Sequence, residues 1–418
     1  MMKETSLLDI LKAEVTPALG CTEPIAVAYA VAKAKETFSG QIENLKIIVD
    51  RNILKNAMGV GIPGTNKKGL KIAAALALIA GKSRYKLEVL KEITAEDVKK
   101  AEGIMAQGIL DVSTKKDARG IYIEVIARGS GESVRVIIED KHDNITMIEK
   151  NGKIIYKKDL ELQVDYVGNI RSFTIAELIQ FAQNVSLDKI QLVRQGIEMN
   201  KRMAQAGLEN GAYYNRSSLD NKENFKEYAK TLTSAACHAR MSGFPLPVMS
   251  CAGSGNHGLT AILPVVAVGE AKCIDMETVI RGVTISLLVT IYVKSFTGTL
   301  SAVCGCGVAA GVGACAGITF ILGGTLNQIE GAINNMIGGI SGIICDGGKP
   351  GCAFKLSISS GTAVEAALMA LNNVFISHED GIVDQTAEKS IYNLGEVSTK
   401  GMQNTDETIL KVMMQKCP

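Results

Sequence analysis

The cysteines are the residues here whose chemistry and spacing invite a reading. Ten occur in 418 residues, with Cys21 alone near the N-terminus and the other nine between Cys237 and Cys417. Two groups sit on glycine-rich runs. SAVCGCGVAAGVGACAG (301–317) carries Cys304, Cys306 and Cys315, and GIICDGGKPGCAFK (342–355) carries Cys345 and Cys352. In a reducing compartment such thiols act as small buried hydrophobes or as metal ligands rather than as disulfides. The Cys-x-x-Cys knuckles or His partners of zinc sites are missing, and so is the tight ferredoxin run. A metal site stays open on context: these cysteines lie on Gly-rich turns in an apolar segment, beside Asp346 and Lys349.

A second constellation is SCAGSGNHGLTAILP (250–264). Pyridoxal-phosphate dehydratases use a very similar Ser-x-Gly-Asn-His loop, but they also need a Schiff-base lysine and a Gly-rich phosphate cup. The upstream lysines Lys222, Lys226 and Lys230 lie in the polar run NKENFKEYAKTL, without the Ser-Phe-Lys-x-Arg context. No pyridoxal phosphate is therefore expected. Ser254 and Asn256 suit a substrate carboxylate, and His257 suits proton transfer near neutrality. The plainer reading of His257 is a buried, hydrogen-bonded histidine.

A third is GVGIPGTNKKG (59–69). Gly59 and Gly64 have phosphate-loop separation, but Thr65-Asn66 stand where Lys-Ser/Thr is required. The turn, with Gly59, Gly64 and Thr65, is read either as an amide cradle for a carboxylate before a helix or as a structural turn.

The elements around these motifs predict an α+β protein. Residues 5–37 read as two helices broken at Pro17–Gly20, with Thr22 as cap and Pro24 in the first turn. That places Cys21 at a helix N-terminus, where amides and the dipole favour a thiolate. LKIIVD (45–50) reads as a strand. The runs IYIEVIA, SVRVIIED, NITMIEK and KIIYKK read as an antiparallel sheet within 104–164. From about Ser172 the periodicity is helical. The division predicted is 1–168, whose first helices return to the helical core, and 169–418, a helical domain.

Composition narrows the function classes. A formal net charge of +2 gives no electrostatic footprint for nucleic acid. The N-terminus MMKETSLLDILKAEV places charges where a signal peptide needs an apolar core, so a cytoplasmic protein is expected. Between Lys294 and Asp346 the only charged residue is Glu330. Repeated glycines and the polar TLNQIEGAINN nonetheless favour a buried helical hairpin over a membrane span.

LGCTEPIAVA (19–28), KNAMGVGIPGT (55–65), GSGNHGLTAILPV (253–265), GCGVAAGVGACAG (305–317) and ICDGGKPGCA (344–353) together resemble the L-cysteine desulfidase family. The C-terminal half is also similar to the alpha part of bacterial iron–sulfur L-serine dehydratases, whose Gly-Cys-Gln and Cys-Asp-Pro motifs look like Gly305-Cys306-Gly307 and Cys345-Asp346-Gly347. The resemblance implies a [4Fe–4S] cluster held by three cysteines with one iron open. Carried over by position, the ligands are Cys21, Cys306 and Cys345. Cys352 is the rival third ligand and Cys304 a substitute for Cys306.

The implied reaction is α,β-elimination of L-cysteine, with L-serine the alternative substrate and His257 or Lys349 the base; Lys349 otherwise binds the carboxylate. A thiolate on the terminal tail, Cys417, could cap the open iron. A non-catalytic amino-acid or metal-binding protein is the rival from another class. A homo-oligomer is left open.

Overall fold

The computed structural model describes residues 2–115, 120–158, 169–211 and 223–416. The boundary expected at residue 168, and Cys417, lie outside the described residues.

Helix α1 (Met2–Glu14) leads through strand β1 (Pro17–Leu19) into α2 (Thr22–Thr37). Strand β2 (Asn44–Val49) shows why it is a strand: Leu45, Ile47 and Val49 are buried while Asn44 and Lys46 are exposed, the period-two signature of a half-buried sheet. Helices α3 (Arg51–Ala57), α4 (Leu70–Ala80) and α5 (Ala95–Ala106) follow, then β3 (Leu110–Thr114), β4 (Tyr122–Gly129), β5 (Glu132–Glu139), β6 (Ile145–Lys150) and β7 (Lys153–Lys157). Asp50 caps α3, accepting from Asn52 N at 2.7 Å, and also accepts from Tyr122 N at 3.3 Å, which ties the helix to β4.

The sheet order is β3-β2-β4-β5-β6-β7. It is mixed rather than purely antiparallel: β2 pairs antiparallel with β4 but parallel with β3. The helices between β2 and β3 carry the chain back so that it re-enters the sheet in the same direction, which a hairpin turn cannot do.

The helical part comprises α6 (Ile175–Asn184), α7 (Gln191–Glu209), α8 (Phe225–Met241), β8 (Pro247–Met249), α9 (Gly255–Ala271), α10 (Met276–Thr297), α11 (Ala310–Ile321), α12 (Leu326–Ile340), α13 (Cys352–Leu371), α14 (Ala387–Glu396) and α15 (Thr405–Met414). Two apolar clusters result. One joins α2 to the sheet. The other joins the helices and takes in Leu7, Leu8, Ile10, Leu11, Val15 and Cys21 from the N-terminus. The chain thus crosses from one cluster to the other at the segment that carries Cys21.

By length and composition α10 could cross a membrane, but 89% of its apolar window is buried inside the protein. The apolar run after Lys294 divides into a π-turn (Gly305–Ala309), α11, a turn at Gly323 and α12.

Small residues set the spacing between α10 and α11. A Cβ on Gly313 would lie 2.2 Å from Thr290 Oγ1 and 2.3 Å from Ser286 O. Gly313→Ala should therefore lower the unfolding free energy by roughly 1–3 kcal/mol. Gly339, on α12, has open space beyond it. Gly339→Ala should raise stability by about 0.5–1 kcal/mol through the unfolded chain. Urea denaturation of both variants checks the pair.

Candidate functional site

A short antiparallel ribbon, β1 with β8, brings the site together by pairing Pro17 with Met249 and Leu19 with Pro247. Its ends are fastened by Ser250 N to Thr16 O at 2.8 Å and Ala252 N to Glu14 O at 3.0 Å. Cys21 at the start of α2 and the loop 250–257 at the start of α9 therefore share one place, although more than 200 residues separate them.

The Gly-rich thiol turns come to the same place. Val303 and Ile344 form a β-bridge, with Cys304 N donating to Ile343 O at 2.8 Å and Cys345 N to Ala302 O at 2.7 Å. The Cys304 thiol interacts with both Cys306 and Cys345. Ser254 Oγ lies 3.7 Å from Cys306 Sγ. A Cβ on Gly348 would be 3.5 Å from Cys21 Sγ, so the 345–349 turn closes over Cys21. Cys352, at the start of α13, points its thiol to Gly347 O at 3.5 Å.

Cys21, Cys304, Cys306, Cys345 and Cys352 thus meet at one junction, none of them in a disulfide. Cys237 is buried nearby, while Cys251 and Cys315 donate to helix carbonyls as core thiols do.

Polar side chains tie the junction together. Cys21 Sγ donates to Glu23 Oε2 at 2.9 Å, and Asn56 Nδ2 donates to Glu23 Oε1 at 2.8 Å. Asn56 Oδ1 lies 3.9 Å from Cys345 Sγ. The fully buried Lys55 donates to Cys345 O at 3.0 Å and pairs with Asp406 on α15 at 2.6 Å. Burial and the Glu23 carboxylate push the Cys21 thiol up, outweighing the helix N-terminus expected to favour a thiolate. Cys304 is pushed up to about 12, first by its hydrogen bond with Cys306.

The 250–258 loop is shaped by packing as much as by chemistry. Ala252 takes a left-handed φ of 45°. A Cβ on Gly258 would sit 1.9 Å from Met249 O, and one on Gly255 2.5 Å from Arg240 Nε. Two of the motif's glycines are therefore explained without any cofactor. Arg240 is buried, reaching Asn256 Oδ1 at 2.9 Å and also Gly20 O. Asn256, read as a carboxylate ligand, has its oxygen engaged by Arg240 and its amide directed at Met241 Sδ.

His257 Nδ1–H donates to Cys251 O at 2.9 Å. Its Nε2 would be 2.5 Å from a Cβ at Gly305, which has Lys294 Nζ at 3.1 Å as well. Burial and the Lys294 charge drive His257 down to about 3, far below the near-neutral value expected of it. It is a neutral imidazole at this junction.

The other expected positions also take on structural work. Gly64 N donates to Gly243 O at 3.1 Å and Thr65 N to Ile62 O at 3.2 Å, with Thr65 Oγ1 on the same Ile62 carbonyl. The amides of that turn are used by protein carbonyls. The turn still borders the site, since a Cβ on Gly59 would touch Gly348 O at 3.1 Å. Lys349 bonds its own turn, at Asp346 O (3.1 Å), Gly347 O (3.3 Å) and the Asp346 carboxylate (2.5 Å).

Sequence reasoning passed over Glu23, Asn56, Arg240, Lys294 and His142. Lys294 had a signal: it is a lone cation after the apolar run LLVTIYV, and it is 3% exposed. Burial brings it down to about 8, while Cys306, Cys345 and Cys304 hold it up. Glu23 stood in plain view beside Cys21, whereas His142 is a turn residue without a motif. Among the described residues no group of three His, Cys, Asp or Glu side chains is arranged to hold a metal ion. A cube of irons differs from that case, because its thiolates attach at separate corners.

This junction and the fold around it place the chain in a class: it belongs to the serine dehydratase alpha chain family, whose family model matches residues 84–411. More narrowly, it is one with the UPF0597 proteins. It is 54% identical to one from Clostridium tetani (strain Massachusetts / E88) over all of both chains. It is 50% identical to one from Caldanaerobacter subterraneus subsp. tengcongensis, and 42% identical to one from Desulfatibacillum aliphaticivorans, in each case over 98% of both chains.

Arg240 gives the site its most direct stability test. Arg240→Met removes charge-assisted hydrogen bonds worth about 1.5–3 kcal/mol each, and should cost at least roughly 2 kcal/mol in urea unfolding. The exposed Arg194, changed likewise, should cost under about 0.5 kcal/mol.

Proposed function

We propose that the chain is an iron–sulfur amino-acid lyase, an L-cysteine desulfidase converting L-cysteine and water to pyruvate, hydrogen sulfide and ammonia. The observation that carries the reading is the meeting of Cys21, Cys306 and Cys345, with Cys304 and Cys352 beside them, where the two apolar clusters adjoin. The family is iron–sulfur dependent in general, which supports it. The donor set fits such a group. Cys304, Cys306 and Cys345 interact through their thiols, with Cys21 and Cys352 on the flanking turns, and the buried ammonium of Lys294 would offset the charge of thiolates formed on metal loading. Cys21, Cys306 and Cys345 are the proposed ligands, with Cys352 the alternative to Cys21.

Bound there with one iron free of protein ligands, a [4Fe–4S] cluster supplies Lewis acidity toward the leaving group, and its softness favours a sulfur over an oxygen. The chain's own residues do the rest. The 250–258 loop and the 345–349 turn flank the junction, where Cys21 and Cys304 are buried and Cys306, Cys345 and Cys352 are half-buried. Ser254 Oγ stands at the Cys306 side, where it can hydrogen-bond a sulfur. Neutral His257, donating through Nδ1 to the Cys251 carbonyl, offers Nε2 as an acceptor, and so orients rather than ionises. Loss of the Cα proton and of the β substituent leaves aminoacrylate, which tautomerises and hydrolyses unaided.

The match to serine dehydratases keeps L-serine as the second substrate to be tested. Reduced thiols at the centre suit a cytoplasmic setting.

Anaerobic reconstitution, iron and sulfide counting, and assay with both amino acids test the reading together. About four irons per chain and sulfide release from L-cysteine are expected; pyruvate from L-serine alone would move the protein to the dehydratases. Cys21→Ser, Cys306→Ser and Cys345→Ser should each cut iron content at least severalfold, while exposed Cys273→Ser should not. Iron lost in Cys352→Ser but kept in Cys21→Ser would reassign the third ligand.

A further inference from the structure

A cavity of about 150 Å³ adjoins the thiol junction, bounded by Thr22, the loop Ser250–Gly253 and Lys294 on one side and by the β5–β6 turn with His142 on the other. Thr22 follows Cys21 directly and Gly253 precedes Ser254, so the cavity wall is continuous in sequence with residues that surround the thiols. A larger hollow of about 360 Å³ between α1 and α6 is lined by Leu7, Phe173 and Phe181 among others, and none of the thiols reaches it.

Two polar groups in the smaller cavity lack adequate partners. His142 is 5% exposed, and its Nε2 makes no hydrogen bond. Lys294 is 3% exposed, and the hydrogen bond found for its ammonium, to Ser301 Oγ, is long at 3.4 Å. A buried imidazole nitrogen and a buried ammonium each cost free energy when left unsatisfied, so their persistence in one cavity points to a ligand that satisfies both. Of the other charged groups at the cavity, Glu14 is paired with Lys141 at 2.9 Å and Asp143 with Lys86 at 3.6 Å, and Asp140 is exposed to solvent. The buried groups at the cavity without an adequate partner are therefore one cationic donor and one imidazole. These complement a carboxylate and an ammonium set close together on a small molecule.

We propose that this cavity is the amino-acid subsite, with Lys294 Nζ receiving the α-carboxylate and His142 Nε2 the α-ammonium of a small L-amino acid. The assignment rests on the lyase reading for the use of the site, but not for its existence. Burial holds His142 below the ordinary imidazole value, and a neutral ring has one nitrogen lone pair to offer, at Nε2 when the proton sits on Nδ1. The limited volume selects side chains of the size of alanine, serine or cysteine. With its backbone groups held so, the β substituent is the part left to face the thiols. His142 and Lys294 come from the sheet side and the helical side respectively, so the ligand bridges the two apolar clusters.

The test uses L-alanine, which fits the subsite but carries no leaving group, in calorimetry on anaerobically reconstituted protein. D-alanine and ethylamine serve as comparisons. L-alanine should bind, with D-alanine and ethylamine at least tenfold weaker. Lys294→Met and His142→Gln should each weaken L-alanine binding at least tenfold and raise KM for L-cysteine more than they lower kcat. His142→Gln should leave iron content and Tm unchanged, which guards against a folding defect at buried Lys294. Wild-type L-alanine affinity in a folded, iron-replete His142→Gln protein would overturn the proposal, as would equal binding of ethylamine. Should wild-type protein lack turnover and iron yet bind L-alanine through these two residues, the subsite stands and the lyase reading falls.

Discussion

The β1–β8 ribbon is the constraint on which the site depends. Three residues of each strand hold the start of α2 against the start of α9, and the flanking hydrogen bonds at Thr16 and Glu14 extend that hold into the 250–253 loop. Without it Cys21 would stay with the sheet and its helix, while Ser254, His257 and the other thiols would stay with the helical bundle. Arg240 reinforces the same contact from below, binding the Gly20 carbonyl on one side and Asn256 on the other. A guanidinium suits that role because its planar fork serves two acceptors at once and remains charged when buried.

Around this contact burial and close neighbours keep Cys21, Cys304 and Cys345 protonated, while two buried lysines stand close by. Lys294 lies under the Gly305 turn, Lys55 bonds the Cys345 carbonyl, and Asp406 on α15 balances Lys55. Buried cations are expensive, and each of these is placed where negative charge is present or would form. Glu23 adds a counterweight: it accepts from Cys21 and Asn56, and so fixes the orientation of a thiol that the helix cap alone would leave free to rotate. Glycines are needed at 305, 348 and 255 because side chains there would collide with His257, the Asn56 carbonyl and Arg240 respectively.

Much of this was legible in the sequence where chemistry and local pattern coincide. The strands 45–50 and 122–157 announce themselves by alternation, and the thiol turns by glycine spacing. The α+β class followed from these and from the helical periodicity after Ser172. What escaped was whatever depends on return paths. The parallel pairing of β2 with β3 is decided by the helices between them, which no strand pattern records. His257 was read by its intrinsic pKa, whereas burial beside a lysine decides its state. Asn256 and the 59–65 turn were read as open to a ligand, because nothing local reveals that Arg240 and the Gly243 carbonyl occupy them. Lys349 was read as a base or a carboxylate ligand, and its ammonium staples its own turn. Lys294 and His142 form no motif together, since 152 positions separate 142 from 294 and only the tertiary fold makes them neighbours.

The dispersal of the thiols over separate loops has a consequence for how such a centre comes into being. With Cys21, Cys306 and Cys345 as the proposed ligands, neither the N-terminal third nor the C-terminal remainder would hold a complete set, and a fragment of either would be chemically mute. On that proposal biogenesis would run in order: the polypeptide would close its ribbon first, and only a nearly finished tertiary structure would receive an inorganic guest. Once seated, that guest would act as a rivet between distant stretches of backbone, and its departure would loosen the very seam that had captured it.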